Sequence, residues 1–281
     1  MSQIRHESVA PTTTRFLGGG ETIERHRHDD HQLIYVSSGV LAITTEHGSW
    51  IASNDRAVWI PAHTWHEHRF YGRSRFHTVG FPAHGRAPLL DAERPTVVAV
   101  DPLVRELLIA LTSTPLTSTP LTDTALTDTT LTDTTRTGTA LTGTETRHIE
   151  AVLRDRLRRV TAEPVALPAA RDRRLADACR LVEEELHQPC TLAQLAARVH
   201  TSERTLSRLY RDEFGLTFPQ WRTRVRIFTA MAMLAEGATV TDTAHACGWA
   251  TTSAFVQTFA QTAGITPGTY RAGMDGPRQR T

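Results

Sequence analysis

No lysine occurs in the 281 residues, so all 31 basic side chains are arginine and every cationic contact the chain makes is made by a guanidinium. Cysteine is scarce: Cys179, Cys190 and Cys247 are odd in number and spaced like neither a disulfide framework nor a zinc cluster. That argues against a disulfide-stapled scaffold and points to a reducing interior. The opening MSQIRHESVAPTTTRFLGGG lacks the apolar core of a secretory signal, and no later run approaches a membrane span. The expectation is a cytoplasmic protein with no membrane partner. Net charge is small as well, +1 over the chain, and selects no partner. From residue 171 onward, however, 14 arginines meet 11 carboxylates, net +3 against −2 for the preceding part, so the C-terminal part leans cationic.

Length suggests two domains, at roughly 100–200 residues each. Between about residues 14 and 90, β-branched and aromatic runs (LIYV, VLAITT, SWIA, RAVWIPA, FHTVGF) are punctuated by SSG, EHG, SND and PAH. This is the pattern of short antiparallel strands closing into a barrel or sandwich. Apolar residues at helical spacing follow over 101–111 and again over 148–160, in Ile149, Val152, Leu153, Leu157 and Val160. Between them, seven five-residue units (LTSTP, LTSTP, LTDTA, LTDTT, LTDTT, RTGTA, LTGTE) run from Leu111 to Glu145. A period of five fits neither strand nor helix, and Thr-rich units gather no core face. The stretch at about 111–146 therefore reads as a disordered insertion between two helices. The expected division is 1–95 for the strand-rich domain, 96–170 for a helical connector carrying the insertion, 171–275 for an all-helical domain and 276–281 for a tail. The fold class is multidomain α+β, an N-terminal antiparallel β-barrel followed by an all-α domain.

The strongest signal lies beyond residue 190. TLAQLAARV opens with Thr191 and, three residues on, Gln194, a capping-box start; Leu192, Leu195, Ala196 and Val199 then fall on one helical face. After the short turn HTS, in which Ser202 can cap, ERTLSRLYRDEF turns Leu206, Leu209 and Tyr210 to one side. Arg204, Ser207, Arg208 and Arg211 occupy the other. A charged stripe alone is commonly a solvated face; arginine forks at this spacing also suit the base edges and phosphates of a major groove. The pattern recurs. A helix from about Pro219 to Glu236, stopped by Gly237, leads to Thr239 with Asp242, a buried side of Val240, Ala244 and Cys247, a turn at Gly248, and a helix from Thr252 to Ala263 anchored by Phe255 and Phe259. Eighteen residues of connecting helix span about 27 Å, compatible with two successive major-groove segments about 34 Å apart.

The run from Thr191 to Arg271, with RTLSRLYRDEFGLTFPQWR, ACGW, SAF and GITPGTYR, resembles the DNA-binding domain of AraC/XylS-type transcription regulators, which carries two helix-turn-helix units. The resemblance covers about residues 171–273. It implies base contacts from Arg204, Ser207 and Arg208 in the first unit and from Thr252, Ser253 and Gln257 in the second. It departs from the family where Gln257, Ala260, Gln261 and Thr262 replace basic residues, and where Thr243 stands at a usually apolar position. The second unit should therefore hold phosphate weakly.

His26-x-His28, Gln32, Gly39 and Pro61-x-x-x-x-His66 resemble the two motifs of a cupin barrel. In that pattern His26, His28 and His66 supply three imidazoles and a carboxylate at position 32 completes the set. Here Gln32 replaces the carboxylate and His63 the usual glycine of the second motif. Three imidazoles suffice for a divalent Fe, Mn, Ni or Zn, although an amide oxygen is a poorer ligand than a carboxylate. Alternatively His26, His28, Gln32 and His66 hydrogen-bond a small molecule, or line a filled barrel. His31, His63 and His68 read as rim or surface residues, Trp59 as core, and Trp65 as a residue able to stack on a ligand.

Together these features point to a regulator whose barrel binds an effector and whose helices bind double-stranded DNA. No catalytic residue is assigned. A homodimer through the helices at 101–111 and 148–160, and RNA polymerase, are the further expected partners. A metal-dependent cupin oxygenase or isomerase with a DNA-binding appendage is the competing class, and a nonspecific nucleic-acid binder a third.

Overall fold

The computed structural model describes residues 4–84, 88–90, 92–113, 141–157 and 165–274. Most of the five-residue repeat (114–140), Val160 and the tail 276–281 lie outside the described residues. Among those described, the N-terminal part forms nine strands: β1 (Arg5–Glu7), β2 (Thr13–Leu17), β3 (Thr22–His28), β4 (His31–Thr45), β5 (Gly48–Ala52), β6 (Arg56–Ile60), β7 (His66–Phe81), β8 (Thr96–Ala99) and β9 (Ala166–Pro168).

The centre is a long ladder between β4 and β7, running from His31↔Phe81 to Thr45↔His66. Both strands bend midway, and the two halves of each serve different neighbours. The first half of β4 pairs β6 while the second half of β7 pairs β2; beyond the bend β4 pairs β5 and β7 pairs β3. Two wings result, and Ile34, Val36, Val58 and Phe76 of one meet Leu41, Ile43, Trp50 and Phe70 of the other in a shared core. SSG, which reads as a break in the sequence, is thus a bend inside one continuous strand. Gly39 sits there at φ 76°, where a Cβ would come within 2.2 Å of Ser74 Oγ, so only glycine lets the ladder fold over on itself. The sheet follows the order β1-β3-β7-β4-β5-β9 without closing, and its one parallel pair is β1 on β3.

Helices α1 (Pro102–Thr112) and α2 (Gly143–Leu157) cover the outer face of the β4–β6 wing. Val104, Leu108, Leu111, Leu153 and Leu157 pack there against Leu33, Tyr35 and the fully buried Trp59. The insertion is bracketed by these helices as the periodicity implies, but α2 begins earlier than residue 148. The reason is local: the last repeat unit alone ends in glutamate, and Glu145 accepts from the Thr142 backbone N–H while Thr142 Oγ1 accepts from that of Glu145.

The C-terminal part is helical: α3 (Arg173–Glu184), α4 (Leu192–Arg198), α5 (Glu203–Phe214), α6 (Phe218–Ala235), α7 (Val240–Ala246), α8 (Thr252–Ala263) and α9 (Pro267–Met274). The 18-residue α6 is the axis. Its first half gives Phe218, Trp221 and Val225 to a core with α3, α4 and α5. Its second half gives Ile227, Met231 and Leu234 to a core with α7, α8 and α9, which Val40 and Ile51 of the sheet also enter. Gly72 of β7, at φ 66°, lies so close to this helix that a Cβ would stand 2.4 Å from the Ala235 carbonyl oxygen.

Thr243, the residue that departs from the family pattern, is fully buried in the second of these cores, and its Oγ1 has no hydrogen-bond partner. A buried hydroxyl left unpaired costs about 1–3 kcal/mol. Thr243→Val keeps the shape and removes the hydroxyl, so the urea midpoint should rise, equivalent to about 1 kcal/mol; a lower midpoint would contradict this reading.

Candidate functional site

Two sites emerge from this frame. The first is a pair of helix-turn-helix units. In the first unit the Thr191–Gln194 capping box starts α4, with the Thr191 N–H donating to Gln194 Oε1 at 2.9 Å. The turn passes through His200 at φ 52°, and Ser202 caps α5 by accepting from the Thr205 N–H. Leu206, Leu209 and Tyr210 are buried, at roughly 1.5–3 kcal/mol per large apolar side chain, and they fix the roll of α5. Arg204, Arg208 and Arg211 are left exposed on the opposite face, with Ser207 half-buried between them. Several other arginines of this domain are paired with carboxylates: Arg198 makes two hydrogen bonds to Glu185, at 2.6 and 2.8 Å, and Arg180 reaches Glu184 at 3.2 Å. Glu213 of α5 is occupied accepting the Arg171 and Asp172 backbone N–H groups. Among the described residues no carboxylate pairs with Arg204, Arg208 or Arg211.

The second unit repeats the construction with different chemistry. Thr239 caps α7, Gly248 turns the chain at φ 78°, and Thr251 caps α8. Phe255 and Phe259 are fully buried and meet edge to face, Phe259 in turn meeting Tyr270 of α9 in the same way. Ser253 and Gln257 are exposed and Thr252 half-buried on the free side. No charged residue lies on α8.

The second site is a buried histidine pocket between β3 and β7. Strand pairing sets His26 opposite His66, and the period of two brings His28 to the same face as His26. His26, His28 and His66 are 4, 2 and 1 % exposed, and one nitrogen of each lies within 4.8 Å of the others. Gln32, 2 % exposed, enters from β4 on the inner face. The imidazoles are oriented alike. His26 Nδ1 lies 2.7 Å from the Glu24 carbonyl oxygen and His66 Nδ1 lies 3.0 Å from that of Thr64. A carbonyl only accepts, so Nδ1 carries the proton in both and each Nε2 keeps its lone pair. His28 Nδ1 faces the Glu7 carboxylate of β1 at 3.6 Å. Burial lowers the pKa of all three, that of His66 to about 3, with the neighbouring imidazoles pushing the same way for His28 and His66. They are neutral donors. His28 Nδ1 and Nε2, His66 Nε2 and Gln32 Oε1 are buried without a hydrogen-bond partner. Neutral imidazoles with free Nε2 lone pairs suit a divalent ion, which bonds nitrogen at about 2.1 Å; a small inward shift of the rings would close the set.

The other histidines divide. His63 is exposed and His31 half-buried, as expected near a rim. His63 holds the glycine position of the motif at φ 64°, its N–H donating to the His28 carbonyl at 2.7 Å. His31 stacks on Trp59 and its Nδ1 accepts from the Ala62 N–H. His68, read from the sequence as rim or surface, is instead 2 % exposed. Strand alternation explains the correction: two residues beyond His66, it shares the inward face and sits 5.1 Å, ring to ring, from His66 and 5.7 Å from His26. Trp65 is half-buried under Arg25, whose guanidinium lies 3.9 Å from the ring centroid. On the opposite face of the same sheet a cleft of about 750 Å³ opens toward the helical domain, between Glu67, Arg69 and Tyr71 of β7 and Val225, Phe228 and Thr229 of α6.

Comparison with known proteins identifies both domains. Residues 195–273 match the helix-turn-helix domain family and residues 13–80 the cupin domain family. The HTH-type transcriptional regulator NimR of Escherichia coli is 27 % identical over 270 residues, which cover 95 % of this chain and 89 % of NimR. The HTH-type transcriptional regulator RipA of Corynebacterium glutamicum is 34 % identical over 110 residues, 39 % of this chain and 33 % of RipA. Among solved structures, a transcriptional regulator with an AraC-type DNA-binding domain from Chromobacterium violaceum is 26 % identical over 37 % of this chain and 94 % of its own, with a TM-score of 0.36. The chain carries a cupin domain followed by an AraC-type helix-turn-helix domain, the build of a DNA-binding transcription regulator.

Proposed function

We propose that this regulator reads a specific double-stranded DNA sequence and that occupancy of its histidine pocket, by a small molecule or a divalent metal ion, sets how well it does so. The observation that carries the reading is the set of buried, unpartnered polar atoms on His28, His66 and Gln32. Each costs stability until something satisfies it, so the pocket favours an occupant. In the metal case His26, His28 and His66 hold the ion through Nε2 and Gln32 Oε1 stands beside it. A bound ion supplies charge and fixed bond directions there. The same imidazoles favour a cupin enzyme as the competing reading; against it, Gln32 leaves the pocket without the carboxylate of that motif. We assign no catalytic residue and a cytoplasmic location. Among the described residues no helix is long and apolar enough to cross a membrane.

For DNA, Arg204, Ser207 and Arg208 are the base-reading side chains of α5 and Arg211 grips phosphate, while Thr252, Ser253 and Gln257 read from α8. A bidentate arginine–guanine contact discriminates by about 1–3 kcal/mol, so the first unit carries most of the affinity. Pocket and helices communicate through β7, which bears His66 on its inner face and Tyr71 and Gly72 at the α6 contact. We assign the division 1–95, 96–170 and 171–275, with α1 and α2 packed onto the sensor. A second copy docks on α1 and α2, where Leu103 and Val152 stand 48 and 42 % exposed, and RNA polymerase is the partner at a promoter.

The test is a titration of operator DNA, selected from the organism's own fragments, with and without zinc. Arg204→Ala and Arg208→Ala should each weaken binding about 10- to 100-fold with circular dichroism unchanged, and His66→Phe should bind DNA but lose the response to zinc. Undiminished binding by the arginine variants, or an intact zinc response in His66→Phe, would contradict the assignment.

For the dimer, sedimentation equilibrium of a Leu103→Asp, Val152→Asp double variant should report a monomer; an unaltered dimer would place the contact elsewhere.

A further inference from the structure

We propose that His68 is a fourth imidazole of the pocket, completing a donor set without charge that takes a late first-row divalent cation such as zinc, cobalt, nickel or copper. This rests on the metal form of the pocket reading above.

His68 is as deeply buried as the three motif histidines, and both of its ring nitrogens lack a hydrogen-bond partner. It lies on the inward face of β7 directly below His66, with its ring centroid 5.7 Å from that of His26 and 5.1 Å from that of His66. Below it, Phe70 and Phe76 close the floor at 6.3 and 5.4 Å. An apolar side chain would fill that position without stranding two polar atoms, so an imidazole there is explained by what it faces rather than by packing. What it faces is the rings of His26 and His66. One nitrogen of each of His26, His28 and His66 lies within 4.8 Å of the others, beside the His68 ring. With Gln32 in place of a carboxylate, the donors are neutral imidazoles and an amide. Imidazole nitrogen suits the late, borderline-soft metals, whereas magnesium, calcium and manganese favour carboxylate and water oxygen.

The test uses the full chain stripped of metal and titrated with cobalt(II), whose d–d absorption reports the number and kind of its ligands. The wild type should bind one cobalt ion with a band typical of a nitrogen-rich site, and zinc should raise the melting temperature while magnesium or calcium should not. His68→Phe should bind cobalt about tenfold or more weakly, with a shifted band, and its metal-free form should melt no lower than the wild type. A lower melting temperature for metal-free His68→Phe would assign the residue a packing role and overturn the proposal. His68→Gln, which retains a polar group, serves as the second variant and should show the same weakening. Wild-type affinity and an unaltered band in both variants would overturn the role of His68 while leaving the three-histidine site standing. Equal stabilisation by magnesium would overturn the metal class. A wild-type chain that binds no cobalt would remove the parent reading itself.

Discussion

The pleat of one strand ties the molecule together. Successive residues of β7 point to opposite sides of the sheet, so His66, His68 and Phe70 face the pocket and the inner core while Glu67, Arg69 and Tyr71 face the helical domain. One residue later Gly72 touches the end of α6. No other arrangement of these residue types would serve: a slip of one position would send the histidines into the interdomain cleft and the arginine into the core. The long β4–β7 ladder and the bend at Gly39 fix that register.

On the far side of the contact, α6 performs the matching role. Its two ends belong to different hydrophobic cores, so its length sets the separation of α5 and α8 and its rigidity fixes their relative orientation. The two recognition helices are built alike at the back and differ at the front. Aliphatic and aromatic anchors hold both, but α5 offers three unpaired guanidiniums where α8 offers only hydroxyl and amide groups. On the proposed reading, contact at one groove is strong and salt-sensitive and reading at the next is neutral.

Much of this was legible in the sequence because the signals are local. Thr191 with Gln194, Ser202, Thr239 and Thr251 cap helices within four residues of themselves, and Phe255 and Phe259 repeat at helical spacing, so the helix-turn-helix units could be placed within a residue or two. His26, His28 and His66 could be gathered because the cupin pattern states their spacing. His68 lies outside the motif, and only strand alternation from His66 puts it inside. The start of α2 was hidden because the Thr142–Glu145 cap lies in the last unit of a repeat that reads as unstructured. The SSG bend, the pairing of β9 with β5 and the seating of Gly72 on Ala235 are contacts between distant parts of the chain, and no window of sequence holds both partners.

The coupling of pocket to helices through β7 is tested most directly at Gly72, by measuring operator affinity of Gly72→Ala with and without zinc. A methyl group there meets the Ala235 carbonyl and loosens the seat of α6 while leaving the pocket intact. Zinc should still raise the melting temperature of the variant as it does the wild type, yet the two operator affinities should converge. A Gly72→Ala protein that retained the full zinc-dependent change in operator affinity would contradict transmission along this strand.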